Sequence, residues 1–297
     1  MRALVIGCGY VGLPLAIRLV ELGHEVWGAR RSPDTGELAK HGIKPLAMDI
    51  SKPISFAENF DWVVNLVSSS KGGPEEYRQV YLEGNRNLAA WAKEHPVKKL
   101  VYSSSTSVYG QTDGSSVKEN SPTEPATETS RILLEAERAL LDAAPAVPSV
   151  VLRVAGIYGP DRGHLFQQYL RNESKIPGKG DRIVNMIHRD DLVGVIISAL
   201  KSGRPGEIYN VVDDEPVQLV HFYRWLSETL GKWMPPFVAE DAAPERKRAI
   251  TSKKVQNRRM KIELGAQIKY PTFRQGYTAE IKRLEEAGQL NIEPEPR

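Results

Sequence analysis

The sequence predicts an α/β protein, a doubly wound parallel sheet of Rossmann type with a smaller C-terminal substrate lobe. Three observations carry this. Short β-rich runs alternate with helical patterns along the N-terminal half. Gly7-Cys8-Gly9-Tyr10-Val11-Gly12 stands between the first run and the first helical pattern, and the apolar run 149–154 suits a strand buried on both faces.

Residues 3–6 read as the first strand and 13–22 as the first helix, with Pro14 in its first turn, where a missing N–H leaves nothing unpaired. Between them, the glycines permit a tight turn and close approach of backbone to a pyrophosphate at the positive end of the helix. Gly7, Gly9, Tyr10, Val11 and Gly12 are therefore candidate dinucleotide-binding residues. An ordinary glycine turn is the plainer reading, and the flanking strand and helix argue against it.

The second strand, 25–29, leads into Arg30-Arg31-Ser32. NAD enzymes usually place a carboxylate here, roughly 20 residues after the glycines, to accept hydrogen bonds from the ribose. Two guanidiniums instead suit a bidentate grip on a 2′-phosphate, with no carboxylate in that stretch to repel it. NADP is expected over NAD, with Arg30, Arg31 and Ser32 at the phosphate; a pair of solvated arginines is the alternative.

A strand at 62–66, a helix at 77–93, a strand at 100–102, a helix at 131–141 and the strand 149–154 continue the alternation. The dinucleotide-binding domain is expected over residues 1–160, with 187–212 returning to it as a helix (190–200) and a short strand (207–211). Residues 161–186 and 213–297 make the smaller lobe. Within it, 176–180 reads as a Gly/Pro-punctuated loop, 220–230 as a helix, 235–261 as a polar, proline-containing region, and 293–297 as a charged, frayed tail.

Composition narrows the function classes. Forty basic and thirty-seven acidic residues give a net charge of +3, too weak a bias for a nucleic-acid partner. The single cysteine, Cys8, fits a reducing, cytoplasmic compartment. The apolar start is too short for a signal-peptide core, and the longest apolar run, 192–200, is far below the roughly 20 residues of a membrane span. No His/Cys/carboxylate cluster has metal-ligand spacing, so no metal is expected.

Several segments resemble the extended branch of the short-chain dehydrogenase/reductase superfamily, the nucleotide-sugar epimerases and dehydratases. Met48-Asp49-Ile50 resembles the segment after the third strand, whose aspartate meets the adenine amino group. Residues 81–88 match a central-helix signature, with Tyr81 where an asparagine is usual. Ser103-Ser104-Ser105-Thr106-Ser107-Val108-Tyr109-Gly110 is similar to the strand-end serine cluster, and 152–160, 187–191 and 208–211 resemble later landmarks on the nicotinamide and substrate sides. The resemblance implies that Asp49, Ile50, Leu66, Val67, Ser68, Ser103 and Ala155 join the glycine loop in lining the cofactor. It also implies a small-molecule substrate and raises a homodimer through helices like 77–93 and 131–141.

The same resemblance implies a Tyr-x-x-x-Lys pair after the serine strand, the tyrosine exchanging a proton with the substrate hydroxyl. Alignment puts Thr129 and Leu133 there. Thr-Ser-Arg-x-Leu-x-Glu-x-Glu after the serine cluster is similar to a subgroup of atypical members that also lack the pair. The candidate catalytic residues are therefore Ser105, which would orient a substrate oxygen, with Thr129 and Arg131. Tyr81, Tyr109, Tyr158, His164 and His188 are other candidate proton carriers. A basic stretch, Arg246-Lys247-Arg248, Lys253-Lys254, Arg258-Arg259 and Lys261, is either a solvated face or the substrate-side wall of a cleft for an anionic or sugar-nucleotide ligand. The expected function is an NADP-dependent oxidoreductase or epimerase/dehydratase-like enzyme with non-standard catalytic residues. The alternative is a catalytically silent NADP-binding regulatory or sensor module.

Overall fold

The computed structural model describes residues 1–240 and 251–290. Its N-terminal part alternates β1 (Arg2–Ile6), α1 (Gly12–Glu21), β2 (Glu25–Arg30), α2 (Thr35–Lys40), β3 (Ile43–Ala47) and β4 (Trp62–Asn65). The predicted helix 77–93 is wound in three parts: α3 (Pro74–Tyr77), a π-helical stretch (Arg78–Glu83) and α4 (Gly84–Glu94). Then follow β5 (Lys99–Ser105), the short β6 (Ser116–Val117), α5 (Glu128–Leu141), β7 (Ser149–Val154) and β8 (Gly156–Tyr158). β5 outruns the expected 100–102 because Ser103, Ser104 and Ser105 pair with Leu152, Arg153 and Val154 of β7. α5 starts three residues earlier than expected, capped by the Thr127 hydroxyl, which accepts from the Ser130 N–H.

The C-terminal part runs α6 (His164–Leu170), β9 (Ile176–Pro177), β10 (Ile183–Val184), β11 (Met186–His188), α7 (Arg189–Ser202), β12 (Ile208–Val211), β13 (Val217–Gln218), α8 (Leu219–Leu230), β14 (Phe237–Val238), β15 (Lys254–Val255), α9 (Arg258–Glu263) and α10 (Phe273–Glu286). Part of the expected loop at 176–180 is thus strand, held by β14. The tail 293–297 lies outside the described residues.

Seven parallel strands form the central sheet in the order β12-β7-β5-β4-β1-β2-β3. Strands are added outward from β1 on both sides, β2 and β3 on one and β4 and β5 on the other, so the loops after β1 and β4 diverge and leave a crevice at the strand ends. Register brings the strand ends to one level: Ile6 pairs with Ala29 on one side and Asn65 on the other. One face packs Leu88, Trp91, Ile132 and Ala136 of α4 and α5 under β1, β4 and β5. The other packs Leu15 and Leu19 of α1 with Leu192 and Ile196 of α7. A third, aromatic core made by Tyr158, Phe166, Tyr169, Phe222, Tyr223, Phe273 and Tyr277 holds α6, α8 and α10 together beside the sheet. No helix among the described residues is long and apolar enough to cross a membrane.

Candidate active site

A cleft of about 970 Å³ follows the crevice at the strand ends. Gly7, Gly9, Tyr10 and Val11 line it beside Ile6, and the loop is fixed from below: the N–H groups of Gly7 and Cys8 both donate to the Ala29 carbonyl, at 3.0 and 3.2 Å. Gly7 has φ +82°, and a Cβ there would lie 2.8 Å from the Leu66 backbone. A Cβ on Gly12 would lie 2.4 Å from the Gly7 carbonyl oxygen, so Gly12 seats the helix against the turn and is not among the lining residues. Gly9 differs: among the described residues beyond its chain neighbours, a Cβ there would meet nothing nearer than 4.0 Å. The space over Gly9 belongs to the cleft, which is the cradle a pyrophosphate needs.

The arginine pair departs from expectation. Arg30 donates through Nε to the Cys8 carbonyl and through Nη1 to Glu37 Oε2 at 3.1 Å. Residues 28–32 hold no carboxylate; Glu37 arrives instead from α2, whose Asp34 cap accepts from the Glu37 N–H at 3.0 Å and starts the helix there. Arg30 is therefore partly spent on bracing the glycine loop. Arg31 is exposed, lines the cleft and has no ion pair among the described residues. Ser32 is exposed and outside the lining. Across from Arg31, Asp49 and Ile50 line the cleft, and the Asp49 carboxylate accepts from Ser51 Oγ (2.7 Å) and Ser51 N (3.0 Å). The Ser51 hydroxyl bond holds its carboxyl below the usual range, keeping it an acceptor.

Leu66, Val67 and Ser68 continue the wall from the end of β4. They are held by a buried amide chain: Asn65 Nδ2 donates to Asn85 Oδ1 at 2.8 Å, Asn85 Nδ2 to the Ala136 carbonyl at 2.9 Å, and the Val67 N–H returns to Asn65 Oδ1 at 3.2 Å. One wall was not legible beforehand. The loop before α3 folds around the Glu76 carboxylate, which accepts from the Lys71 and Gly72 N–H groups at 2.8 Å each and from the Ser69 and Ser70 hydroxyls. Those bonds, the Ser69 hydroxyl first, hold the carboxyl down to about 2. Its only signal was Gly72-Gly73-Pro74, which marks a loop without saying where it lies. The Tyr81 hydroxyl accepts from the Ser69 N–H at 3.0 Å, so this candidate proton carrier ties the same loop down.

At the far end stand Ser103, Ser104, Ser105, Leu133, Val154, Ala155, Gly156 and Ile157. The structure brings Ser105 to the cleft but neither Thr129 nor Arg131. Because α5 begins at Glu128, its inward face carries 129, 130, 132, 133, 136, 137 and 140. Arg131 consequently points outward and, among the described residues, reaches only the Pro125 carbonyl, at 3.5 Å. Thr129 is buried with its hydroxyl 3.1 Å from that of Thr127. Leu133 is the α5 residue that faces the cleft.

Behind the serines lies a buried polar chain. Ser104 Oγ donates to Glu137 Oε1 at 2.5 Å, Arg153 grips Glu137 from Nε and Nη2, and Arg153 Nη1 donates to the Tyr109 hydroxyl at 2.9 Å, which donates to Asn210 Oδ1 at 2.8 Å. Tyr109 is thus a strut between β5, β7 and β12, and burial raises its hydroxyl above the ordinary phenol range. Tyr158 and His188 are buried in edge-to-face contact, 5.3 Å between ring centroids, and burial pushes His188 down to about 4. None of the three lines the cleft.

The basic stretch is also largely committed elsewhere. Lys253 is buried, donating to the Tyr109 carbonyl at 2.9 Å and Thr251 Oγ1 at 2.7 Å, and burial draws its ammonium down to about 8. Arg259 pairs with Glu207 and Glu263, and Lys261 with Asp214. Arg246, Lys247 and Arg248 lie outside the described residues. Among the described residues no group of three or more His, Cys, Asp or Glu could hold a metal ion.

Comparison with known proteins agrees with this geometry. Protein YeeZ of Escherichia coli K12 is 30% identical over 247 residues, covering 80% of this chain and 86% of that protein. UDP-glucose 4-epimerase of Corynebacterium glutamicum is 26% identical over 304 residues, covering 89% and 90%. Among solved structures, MoeE5 in complex with UDP-glucose and NAD superposes with a TM-score of 0.81 at 22% identity, covering 97% of this chain and 99% of that one, a likeness of fold. Residues 3–211 match the NAD dependent epimerase/dehydratase family, and the chain belongs to that family.

Proposed function

We propose that the protein is an NADP-dependent oxidoreductase or isomerase of epimerase/dehydratase type, acting in the cytoplasm on a hydroxyl or carbonyl of a small anionic or sugar-nucleotide substrate. The observation that carries the reading is one continuous cleft from the open cradle over Gly9 to Ser105. The nicotinamide, when bound, supplies hydride exchange. The chain's own residues do the rest. Arg31 meets a 2′-phosphate, Asp49 accepts from the adenine side, Ser105 offers a hydroxyl to a substrate oxygen, and Leu133 keeps that end dry. Kinship to UDP-glucose 4-epimerase supports a sugar-nucleotide substrate.

A proton must still move, and neither Thr129 nor Arg131 is placed to move it. We assign that role to Ser105 with water, at a cost against a well-placed general acid of about 10²–10⁴-fold. One observation favours a second reading, an NADP-binding sensor without turnover: the residue that α5 presents to the cleft is apolar Leu133.

The test is a calorimetric titration with NADPH and NADH, followed by a screen of sugar nucleotides and small carbonyl acids for consumption of reduced nicotinamide. NADPH is expected to bind about tenfold or more tighter than NADH, a margin of about 1.4 kcal/mol that Arg31→Ala removes and Arg30→Ala only narrows. Binding without turnover of any substrate, unaltered by Ser105→Ala, selects the sensor. Binding of neither nucleotide overturns both readings.

A further inference from the structure

We infer that Arg162 is an anion-binding residue of the cleft, presenting its guanidinium to a carboxylate or phosphate oxygen held between the glycine loop and the 154–157 wall. The inference rests on the cleft reading above and deepens it by naming the ligand chemistry. The residue belongs to no motif of the sequence, and its placement marks it.

Arg162 closes a tight turn after β8. Gly159 and Arg162 exchange backbone hydrogen bonds, N–H to carbonyl, at 3.1 and 3.0 Å, with Pro160 and Asp161 at the corner. Asp161 has φ +59°, a left-handed conformation uncommon outside glycine but tolerated by aspartate, and its surroundings hold it there. They do so from α10. The Asp161 N–H donates to Oε1 of buried Glu280 at 2.9 Å, and Arg283 bonds both the Asp161 carboxylate, at 2.5 Å, and Glu280. From the other side the turn rests on Tyr10 and His188: a Cβ on Gly159 would lie 3.3 Å from the Tyr10 hydroxyl and 3.1 Å from His188 Nε2.

Two consequences follow. The carboxylate nearest to Arg162 in sequence is withdrawn from it by Arg283. The Arg162 side chain is laid over the Tyr10 ring, its guanidinium carbon 4.8 Å from the centroid, at the wall of the cleft. A second guanidinium, that of Arg189, faces the same ring at 5.3 Å but is engaged by Asp190 at 2.9 Å. Arg162 has no ion pair among the described residues and is exposed to the cleft. An aromatic face holds the planar fork in orientation and leaves the N–H donors at its edge free, which suits bidentate capture of a carboxylate or phosphate.

The anion has two possible sources, the diphosphate of the cofactor or an acidic group of the substrate, and titrations separate them. Wild type, Arg162→Met and Arg162→Lys are titrated with NADPH, NADH and inorganic phosphate, and then, saturated with NADPH, with phosphate and malonate. The methionine keeps the packing on Tyr10 and removes the fork; lysine keeps the charge. If the anion is the diphosphate, Arg162→Met weakens NADPH and NADH alike by about tenfold, with lysine between. If it belongs to the substrate, nucleotide affinity is unchanged and phosphate or malonate binding to the saturated protein falls by that factor. Wild-type affinities for every probe in Arg162→Met overturn the inference. Should wild type bind no nucleotide, the proposed function fails, and the phosphate titration of the nucleotide-free protein alone decides Arg162.

Discussion

The two ends of the cleft are built from different materials. At the glycine-loop end the contacts are backbone: Gly7 turns beneath Leu66, Gly12 seats α1 on the turn, and Gly9 leaves open the space that a ligand would fill. At the Ser105 end they are side chains, and which side chain arrives depends on the phase of α5 and on what lies buried behind it. At the side-chain end, the α5 residue that lines the cleft is apolar Leu133.

The largest expected effect sharpens the first half of this contrast. Gly7→Val combines a positive φ with a Cβ 2.8 Å from backbone, and is expected to destabilise the fold by about 3 kcal/mol or more, read as a lower midpoint in denaturant. Gly9→Val meets open space instead. Its stability should stay within about 1 kcal/mol of wild type while nucleotide binding is lost, and equal destabilisation by both variants would make the loop mere scaffold.

A pH effect of intermediate size belongs to the lobe beside the Ser105 end. Asp213 is buried, its Oδ1 accepts from the Glu215 N–H at 3.2 Å, and burial pushes its carboxyl up to about 8. Nearby Glu215, Asp214 and Asp191 act in the same direction. The folded state therefore holds a proton that the unfolded chain releases near pH 4. Its contribution is full below about pH 4 and is lost as pH rises towards about 8, by up to ~1.4 kcal/mol per pH unit for one proton. Thermal melts across that range should show Asp213→Asn flattening the decline, and an unchanged slope would show that the carboxyl is ionised in the fold. His188, held near 4, works the other way: its contribution is lost as pH falls from about 6.5 to 4.

Smaller effects test the arginines. Glu37→Gln releases Arg30 from a half-exposed pair, so a gain in NADPH affinity of a fewfold, corresponding to less than about 1 kcal/mol, is expected by titration, with NADH unaffected. Arg131→Ala, on the solvent side of α5, should change stability by less than about 0.5 kcal/mol and leave nucleotide binding and any turnover as they were. A clear loss of turnover there would restore Arg131 to the site.

The alternation of elements, the glycine loop and the buried strand at 149–154 were legible because each is a local pattern with a local cause: period, turn conformation, burial on both faces. The sequence by itself therefore determined the parallel sheet, the glycine loop that lines the cleft at its strand ends, and the family likeness of the serine strand. It could not tell that Glu37 would meet Arg30, that Lys253 would be buried on the Tyr109 carbonyl, or that Asp161 would be drawn off by Arg283 so that Arg162 faces the cleft. Nor could it place Thr129 and Arg131, since the phase of α5 against the sheet decides which side chains point inward. These are contacts between residues far apart in the chain or set by helix phase. Only the tertiary structure decides them, because a charge's partner is fixed by where the chain brings it in space.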